Sequence, residues 1–94
     1  MKDYYVYILK CFDGSYYAGV TNDLNKRLNE HQSGLIKGFT SYRLPLELVY
    51  SERFQDINQA IRLEKQIKGW SRKEKEALIA GNIDLLVALS NKKK

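Results

Sequence analysis

Two strand-like segments near the start of the chain, joined by a short turn sequence, constrain the fold more than any other feature. Residues 4–10 (YYVYILK) and 16–20 (YYAGV) are rich in aromatic and β-branched side chains, which favour strands. Between them lies Asp13-Gly14, a dipeptide typical of tight turns. The chain therefore begins with a predicted β-hairpin.

The register of this hairpin decides which tyrosines share a face of the sheet. A two-residue turn at Asp13-Gly14 would pair Lys10 with Tyr17 and place Tyr7 and Tyr17 on opposite faces. A three-residue bulged loop would place both tyrosines on the same face. We predict the bulged form.

Capping residues and helical periodicity predict the elements that follow the hairpin. These are a helix that begins after Thr21-Asn22-Asp23 and ends at Gly34, a surface loop over residues 33–45, a strand over 46–51, and helices over 56–69, 71–79 and 82–89. Residues 1–90 are expected to form a single α+β domain, with residues 91–94 as a basic C-terminal tail.

The charge of the chain favours a polyanionic partner. Sixteen Lys and Arg residues against eleven Asp and Glu residues give a formal net charge of +5. Such a surplus attracts nucleic acid through phosphate contacts and counterion release, although it also serves solubility alone.

Composition excludes some kinds of site and compartment. One Cys and one His cannot build a tetrahedral zinc site within one chain, so any metal is expected to be a hard cation on carboxylate oxygen. No apolar run approaches the roughly 18 residues of a membrane span. The start of the sequence lacks a signal-peptide pattern, and the lone Cys11 has no partner for an internal disulfide, so we expect a cytoplasmic protein without a membrane partner.

Glu64 interrupts the apolar pattern of the predicted helix over residues 56–69. The apolar stripe of this helix comprises Ile57, Ala60, Ile61 and Ile67. Glu64 falls near the middle of the stripe, where an unpaired carboxylate would cost several kcal/mol. Such a group is expected to form a salt bridge with Arg or Lys, or to bind a metal ion.

Arg27 and His31 intrude in the same way on the inward face of the first helix, which Leu24 and Leu28 mark. Arg27 could expose its head while burying its stem, or its guanidinium could bind phosphate. His31 could transfer a proton near neutral pH or satisfy a local hydrogen bond.

Two tripeptides in the hairpin, Tyr5-Val6-Tyr7 and Tyr17-Ala18-Gly19, carry a pattern that continues in Arg27, His31 and Glu64. In its order and spacing the pattern resembles that of the GIY-YIG endonuclease superfamily, particularly its small stand-alone bacterial proteins. Two positions depart from the motif name, because Tyr5 stands where it has Gly and Ala18 where it has Ile.

The resemblance implies a three-stranded antiparallel sheet flanked by helices, with a nuclease site on one face of the sheet. It implies that Glu64 is the ligand of one Mg²⁺ or Mn²⁺ ion and that Arg27 stabilises charge on the phosphate. We expect Tyr7 to act as the base, Tyr17 to orient the water or phosphate, and His31 to assist proton transfer. The roles of the two tyrosines could be reversed.

The expected substrate is nucleic acid, with DNA favoured over RNA. A chain of 94 residues has no room for a separate binding domain. Selection by shape, or with the help of a partner protein, is therefore expected in DNA repair or processing. The candidates for phosphate contacts are Lys37, Arg43, Arg72, Lys73 and Lys75.

Two other functions remain compatible with the sequence. A nucleic-acid-binding module without useful catalysis would show salt-sensitive binding and no cleavage. An interaction domain of a larger complex would show no binding to DNA.

Overall fold

The hairpin forms as the sequence predicts and provides two strands of the only sheet among the described residues. The computed structural model describes residues 2–35, 38 and 40–91. Strands β1 (Tyr4–Lys10) and β2 (Tyr16–Thr21) pair antiparallel, with Tyr7 opposite Gly19 and Leu9 opposite Tyr17. This register confirms the bulged form and places Tyr7 and Tyr17 on one face.

The turn of the hairpin explains this register. The Cys11 N–H donates to the Ser15 carbonyl at 2.8 Å, which leaves a three-residue loop between them. Its last residue, Gly14, has φ +86°, a left-handed conformation that glycine adopts without strain and that such loops require.

The remaining elements follow in the predicted order. They are α1 (Leu24–Gln32), β3 (Glu47–Phe54), α2 (Ile57–Lys68), α3 (Arg72–Ile79) and α4 (Ile83–Asn91). The third strand pairs antiparallel with β1, giving the strand order β2-β1-β3. The fold is therefore the predicted α+β arrangement, a three-stranded antiparallel sheet flanked by helices.

Side-chain caps fix where three of the helices begin. Asp23 accepts a hydrogen bond from the Lys26 N–H at the start of α1, and Asp56 accepts one from the Asn58 N–H at the start of α2. At α3, Ser71 and Glu74 form a reciprocal capping box. These residues start the helices where the sequence predicts.

Each face of the sheet has its own apolar cluster. One cluster includes Val6 and Ile8 of β1 and packs against Ala60 and Ile67 of α2, together with side chains of α3. The other includes Tyr7 and Leu9 and packs against α1. The two layers of helices thus bury the two faces of β1 separately.

The apolar stripe predicted for α2 is wrong in its position. Ala60 and Ile67 are fully buried, but Ile57 is 40% exposed and Ile61 is 36% exposed. Because the sheet contacts the side of α2 that carries Ala60 and Ile67, Glu64 lies at the border of the buried face instead of at its centre.

Some predicted features lie outside the described residues. Lys37 and residues 92–94 of the basic tail are among them. Asn91, which the sequence assigns to the tail, is the last residue of α4. Along the described ranges, no helix is both long enough and apolar enough to cross a membrane.

Candidate nuclease site

Tyr7 lies across the neighbouring strand because its partner in the register is a glycine. A Cβ atom at Gly19 would lie 2.5 Å from the Tyr7 Oη and 2.6 Å from its Cζ. Only the missing side chain of Gly19 lets the Tyr7 ring extend over β2, which is an edge strand. The phenol of Tyr7 is therefore directed toward the β2 edge of the sheet.

Three rings gather beside this edge. The ring centroids of Tyr7 and Tyr17 are 6.5 Å apart, and that of His31 lies 5.9 Å from Tyr7 and 5.3 Å from Tyr17. The histidine meets both tyrosines edge-on, a favourable geometry for aromatic pairs. The hairpin and α1 thus bring together three of the residues that the sequence proposes for catalysis.

A buried chain of hydrogen bonds runs through this cluster. The Tyr7 Oη lies 3.1 Å from the His31 Nε2, and the His31 Nδ1 lies 2.9 Å from the Thr40 Oγ1. If Nδ1–H donates to Thr40, then Nε2 accepts from the Tyr7 hydroxyl. The sequence reasoning missed Thr40, since no local pattern indicates that a loop hydroxyl contacts a histidine nine residues earlier.

Burial governs the ionisation of Tyr7. Desolvation and the neighbouring Tyr17 raise the pKa of Tyr7 to about 12, while the charge of Arg27 opposes this and that of Glu64 adds to it. Tyr7 is therefore protonated at neutral pH and able to donate to His31.

The pKa of His31 is shifted downward, in the opposite direction to that of Tyr7. Burial lowers its pKa below 6.5, and the charge of Arg27 lowers it further, with Glu30 acting against them. The imidazole is consequently neutral near pH 7, with one ring nitrogen available as an acceptor.

Arg27 stands at the solvent side of this cluster. Its side chain is 40% exposed, and its Nε lies 3.7 Å from the Glu30 Oε1 one turn along α1. The charge of Arg27 acts on the pKa values of both Tyr7 and His31. A partly exposed guanidinium in this position can bind a phosphate that approaches from solvent.

Glu64 approaches the cluster from the other layer of the fold. It belongs to α2, which packs on the opposite face of the sheet from α1, yet its charge contributes to the raised pKa of Tyr7. Its side chain is 18% exposed and its Oε2 lies 3.0 Å from the Lys68 Nζ. The expected salt bridge therefore exists, and the carboxylate keeps some access to solvent.

A single hard cation is compatible with this carboxylate. Among the described residues, no group of three or more His, Cys, Asp or Glu side chains could hold a metal ion. Mg²⁺ and Mn²⁺ are often held by one or two carboxylates, with water and substrate phosphate as the other ligands. Lys68 is 52% exposed, so it can turn into solvent when a cation replaces it.

Two of the basic residues proposed for nucleic-acid contact bind the turn of the hairpin. The Arg43 Nε lies 3.1 Å from the Asp13 Oδ2, and Arg72 donates to the Gly14 carbonyl at 2.7 Å. Arg72 also covers the Tyr16 ring, with its Cζ 4.8 Å from the ring centroid. Both arginines therefore support the register that aligns the tyrosines.

The two lysines proposed for the same role belong to α3, away from the three rings. Lys73 is exposed and borders a cavity between α3 and α4, while Lys75 is half-buried. Neither residue lines the groove that contains Arg27.

Comparison with known proteins agrees with this geometry. The model of the GIY-YIG catalytic domain matches residues 3–77. The UPF0213 protein of Bacillus pumilus (strain SAFR-032) is 48% identical over 77 residues, covering 82% of this chain and 79% of its own. A UPF0213 protein of Staphylococcus saprophyticus is 41% identical over 80 residues, covering 85% of this chain and 98% of its own.

Two solved structures share the fold. The solution NMR structure of the UPF0213 protein BH0048 from Bacillus halodurans has a TM-score of 0.57 at 41% identity, covering 83% of each chain. That of the protein EF2693 from E. faecalis has a TM-score of 0.61 at 35% identity, covering 86% of each chain. By the extent of the domain match and by these relatives, the chain belongs to the GIY-YIG family.

Proposed function

We propose that this chain is a metal-dependent endonuclease that hydrolyses phosphodiester bonds in DNA and selects its substrate by shape more than by sequence. The observation that supports the proposal is the cluster of Tyr7, Tyr17 and His31 beside the β2 edge, with the charges of Arg27 and Glu64 both acting on the Tyr7 phenol. Nucleases of this family are generally metal-dependent, which agrees with an acidic group at this position.

Arg27 would contact the phosphate directly, and Glu64 would act on it through a bound cation. The guanidinium of Arg27 binds phosphate oxygens and stabilises the negative charge that accumulates as the phosphorus is attacked. Glu64 would hold Mg²⁺ or Mn²⁺, and a bound ion would polarise the phosphate and stabilise the leaving oxygen.

Tyr7 and His31 would move the proton of the attacking water. Because the pKa of Tyr7 is raised to about 12, its hydroxyl stays protonated at neutral pH and is not a phenolate. It would serve as a base by relay, in which a water admitted beside the buried hydroxyl gives its proton to Tyr7 while the proton of Tyr7 passes to the His31 Nε2, 3.1 Å away. The water oxygen forms the new bond to phosphorus as the bond to the leaving oxygen breaks. The leaving oxygen then takes a proton from solvent, and the proton on His31 returns to solvent before the next turnover.

Tyr17 is assigned a positioning role. Its ring packs 6.5 Å from that of Tyr7 and 5.3 Å from that of His31. From there its hydroxyl can orient the water or a phosphate oxygen beside the relay.

A matched pair of glutamates tests the assignment. Glu64 and Glu76 each form an ion pair with a basic residue four positions away on their helix, but only Glu64 acts on Tyr7. Single-stranded, duplex and branched DNA are incubated with Mg²⁺ or Mn²⁺ and with each protein. We expect Glu64→Gln to lower the cleavage rate by about a hundredfold or more, as does loss of a group that stabilises the transition state, and Glu76→Gln to retain the wild-type rate.

Equal cleavage by wild type and Glu64→Gln would refute the assignment of the site. Salt-sensitive binding without cleavage by the wild type would instead indicate a nucleic-acid-binding module. A preference for branched over linear duplex DNA would support a role in DNA repair or processing, alone or with a partner protein.

A further inference from the structure

A small groove includes Arg27 in its lining but none of the three rings. It has a volume of about 240 Å³ and lies between the end of β2, the connection to α1 and the start of α2. Its lining consists of Tyr4, Val20, Thr21, Asn22, Arg27 and Ile57. The same guanidinium that acts on Tyr7 and His31 therefore also forms one wall of this groove.

The lining combines the chemistry needed to bind a base. Tyr4 supplies an aromatic ring, and Val20 and Ile57 supply apolar surface. Asn22 is exposed, and its amide can donate to and accept from the polar edge of a base. The groove thus offers apolar walls, a polar edge and a cation at one end.

The exposure of Ile57 is otherwise unexplained by packing. It is 40% exposed, and Ile61, one turn further along α2, is 36% exposed. Both lie on the same side of the helix as Glu64, at helical spacing. An apolar wall beside the acidic group of the proposed site fits the surface of a substrate better than it fits water.

We propose that this groove binds the unpaired base of a nucleotide that adjoins the phosphate held by Arg27. The inference rests on the proposed function for the identity of the phosphate, and it adds a physical origin for selection by shape. A base inside a duplex has its faces covered by its neighbours, whereas a bulged or displaced base can enter the groove. Bulges, flaps and junctions supply such bases, and a fully paired duplex does not.

Binding measured without divalent metal separates this inference from catalysis. Three DNA duplexes of one sequence serve as probes: fully paired, with a single bulged nucleotide, and with a bulged abasic residue at the same position. Their affinities are measured by fluorescence anisotropy in EDTA. Because the duplexes have nearly the same backbone charge, the ratio of their affinities reports the bulged base.

Ile83 provides the control for Ile57. Both are exposed isoleucines at the first position of a helix, 40% exposed at Ile57 and 55% at Ile83, but Ile83 does not line the groove. Wild type is expected to bind the bulged-base duplex about tenfold more tightly than the abasic one, within the range for base stacking on protein. Ile57→Ala should reduce this preference about threefold or more, and Ile83→Ala should leave it unchanged.

The results distinguish the two proposals. Equal affinities of the wild type for the bulged-base and abasic duplexes, or an unchanged preference in Ile57→Ala, would overturn the proposal that the groove binds a base. If the preference follows Ile57 but wild type cleaves nothing with Mg²⁺ or Mn²⁺, the base site is supported and the endonuclease is refuted. If cleavage depends on Glu64 and the preference is absent, only the base site falls.

Discussion

Replacing Gly19 by alanine would test the central packing feature of the site. The new Cβ would lie 2.5 Å from the Tyr7 Oη, 2.6 Å from its Cζ and 3.1 Å from its Cε1. An ordinary contact needs about 3.4 Å or more, so the ring must move by about 1 Å. Tyr7 is 1% exposed and packed against α1, so its ring has little room to move.

The expected cost follows from two terms. Overpacking a closely packed core costs about 1–3 kcal/mol. A 1 Å movement also breaks the 3.1 Å hydrogen bond to His31, which contributes about 1 kcal/mol. We therefore expect Gly19→Ala to lower the free energy of unfolding by about 2–4 kcal/mol, measured by urea denaturation at pH 7.

A second glycine provides the control. A Cβ at Gly69, the residue after α2, would lie 3.6 Å from its nearest contact, the Gln66 carbonyl oxygen, and Gly69 has φ −86°. Gly69→Ala should therefore change the free energy of unfolding by less than about 1 kcal/mol. If Gly19→Ala costs no more than Gly69→Ala, the Tyr7 ring does not depend on the missing side chain, and the reasoning fails.

Three further predictions concern hydrogen bonding and ionisation. Because burial lowers the pKa of His31, the unfolded chain takes up this proton at a higher pH than the folded protein does, so stability should fall as the pH falls through the ordinary range of histidine, by at most about 1.4 kcal/mol per pH unit. Urea denaturation of His31→Gln, which cannot titrate, should show a flatter dependence, and an equal slope would contradict the assignment. Thr40→Val removes the partner of the His31 Nδ1 and should cost about 1–3 kcal/mol, whereas Thr40→Ser should retain most of the stability and of the pH profile of cleavage. Ser71→Ala removes one half of the capping box with Glu74 and should lower the free energy of unfolding by about 1 kcal/mol, and a loss below the error of denaturation would refute the importance of that cap.

The fold was predictable where the signals are local. Asp23, Asp56 and Ser71 cap the helices that their positions predict, because a capping side chain bonds to backbone only two or three residues away. Gly14 allows the left-handed residue of the three-residue loop, and the loop sets the register of the strands. These interactions need no knowledge of the tertiary structure.

The inner face of α2 was not predictable in the same way. Helical periodicity shows which residues share a side of the helix, but it does not show how much of that side a neighbour covers. The sheet covers Ala60 and Ile67 and leaves Ile57 and Ile61 partly exposed. Glu64 therefore lies at a border that only the packed structure defines.

The sequence indicated the candidate residues of the site but not the contacts between them. Arg27 and Glu64 attract attention as charged groups near apolar positions, while Tyr7 and Tyr17 depended on the resemblance to a family. The hydrogen bond from His31 to Thr40 joins α1 to the loop after it, and the approach of Glu64 joins the two layers of helices. Neither relation has a sequence period that could reveal it.

Most of the positive charges that are in no ion pair among the described residues belong to lysines. Four of the five arginines, Arg27, Arg43, Arg53 and Arg72, lie within 4.0 Å of a carboxylate, whereas Arg62 and every described lysine except Lys68 are in no ion pair among the described residues. Lysine binds phosphate as a point charge on a flexible stem and makes no bidentate contact with guanine, as arginine does. Attraction of DNA to this surface would thus decline steeply with salt and differ little among sequences.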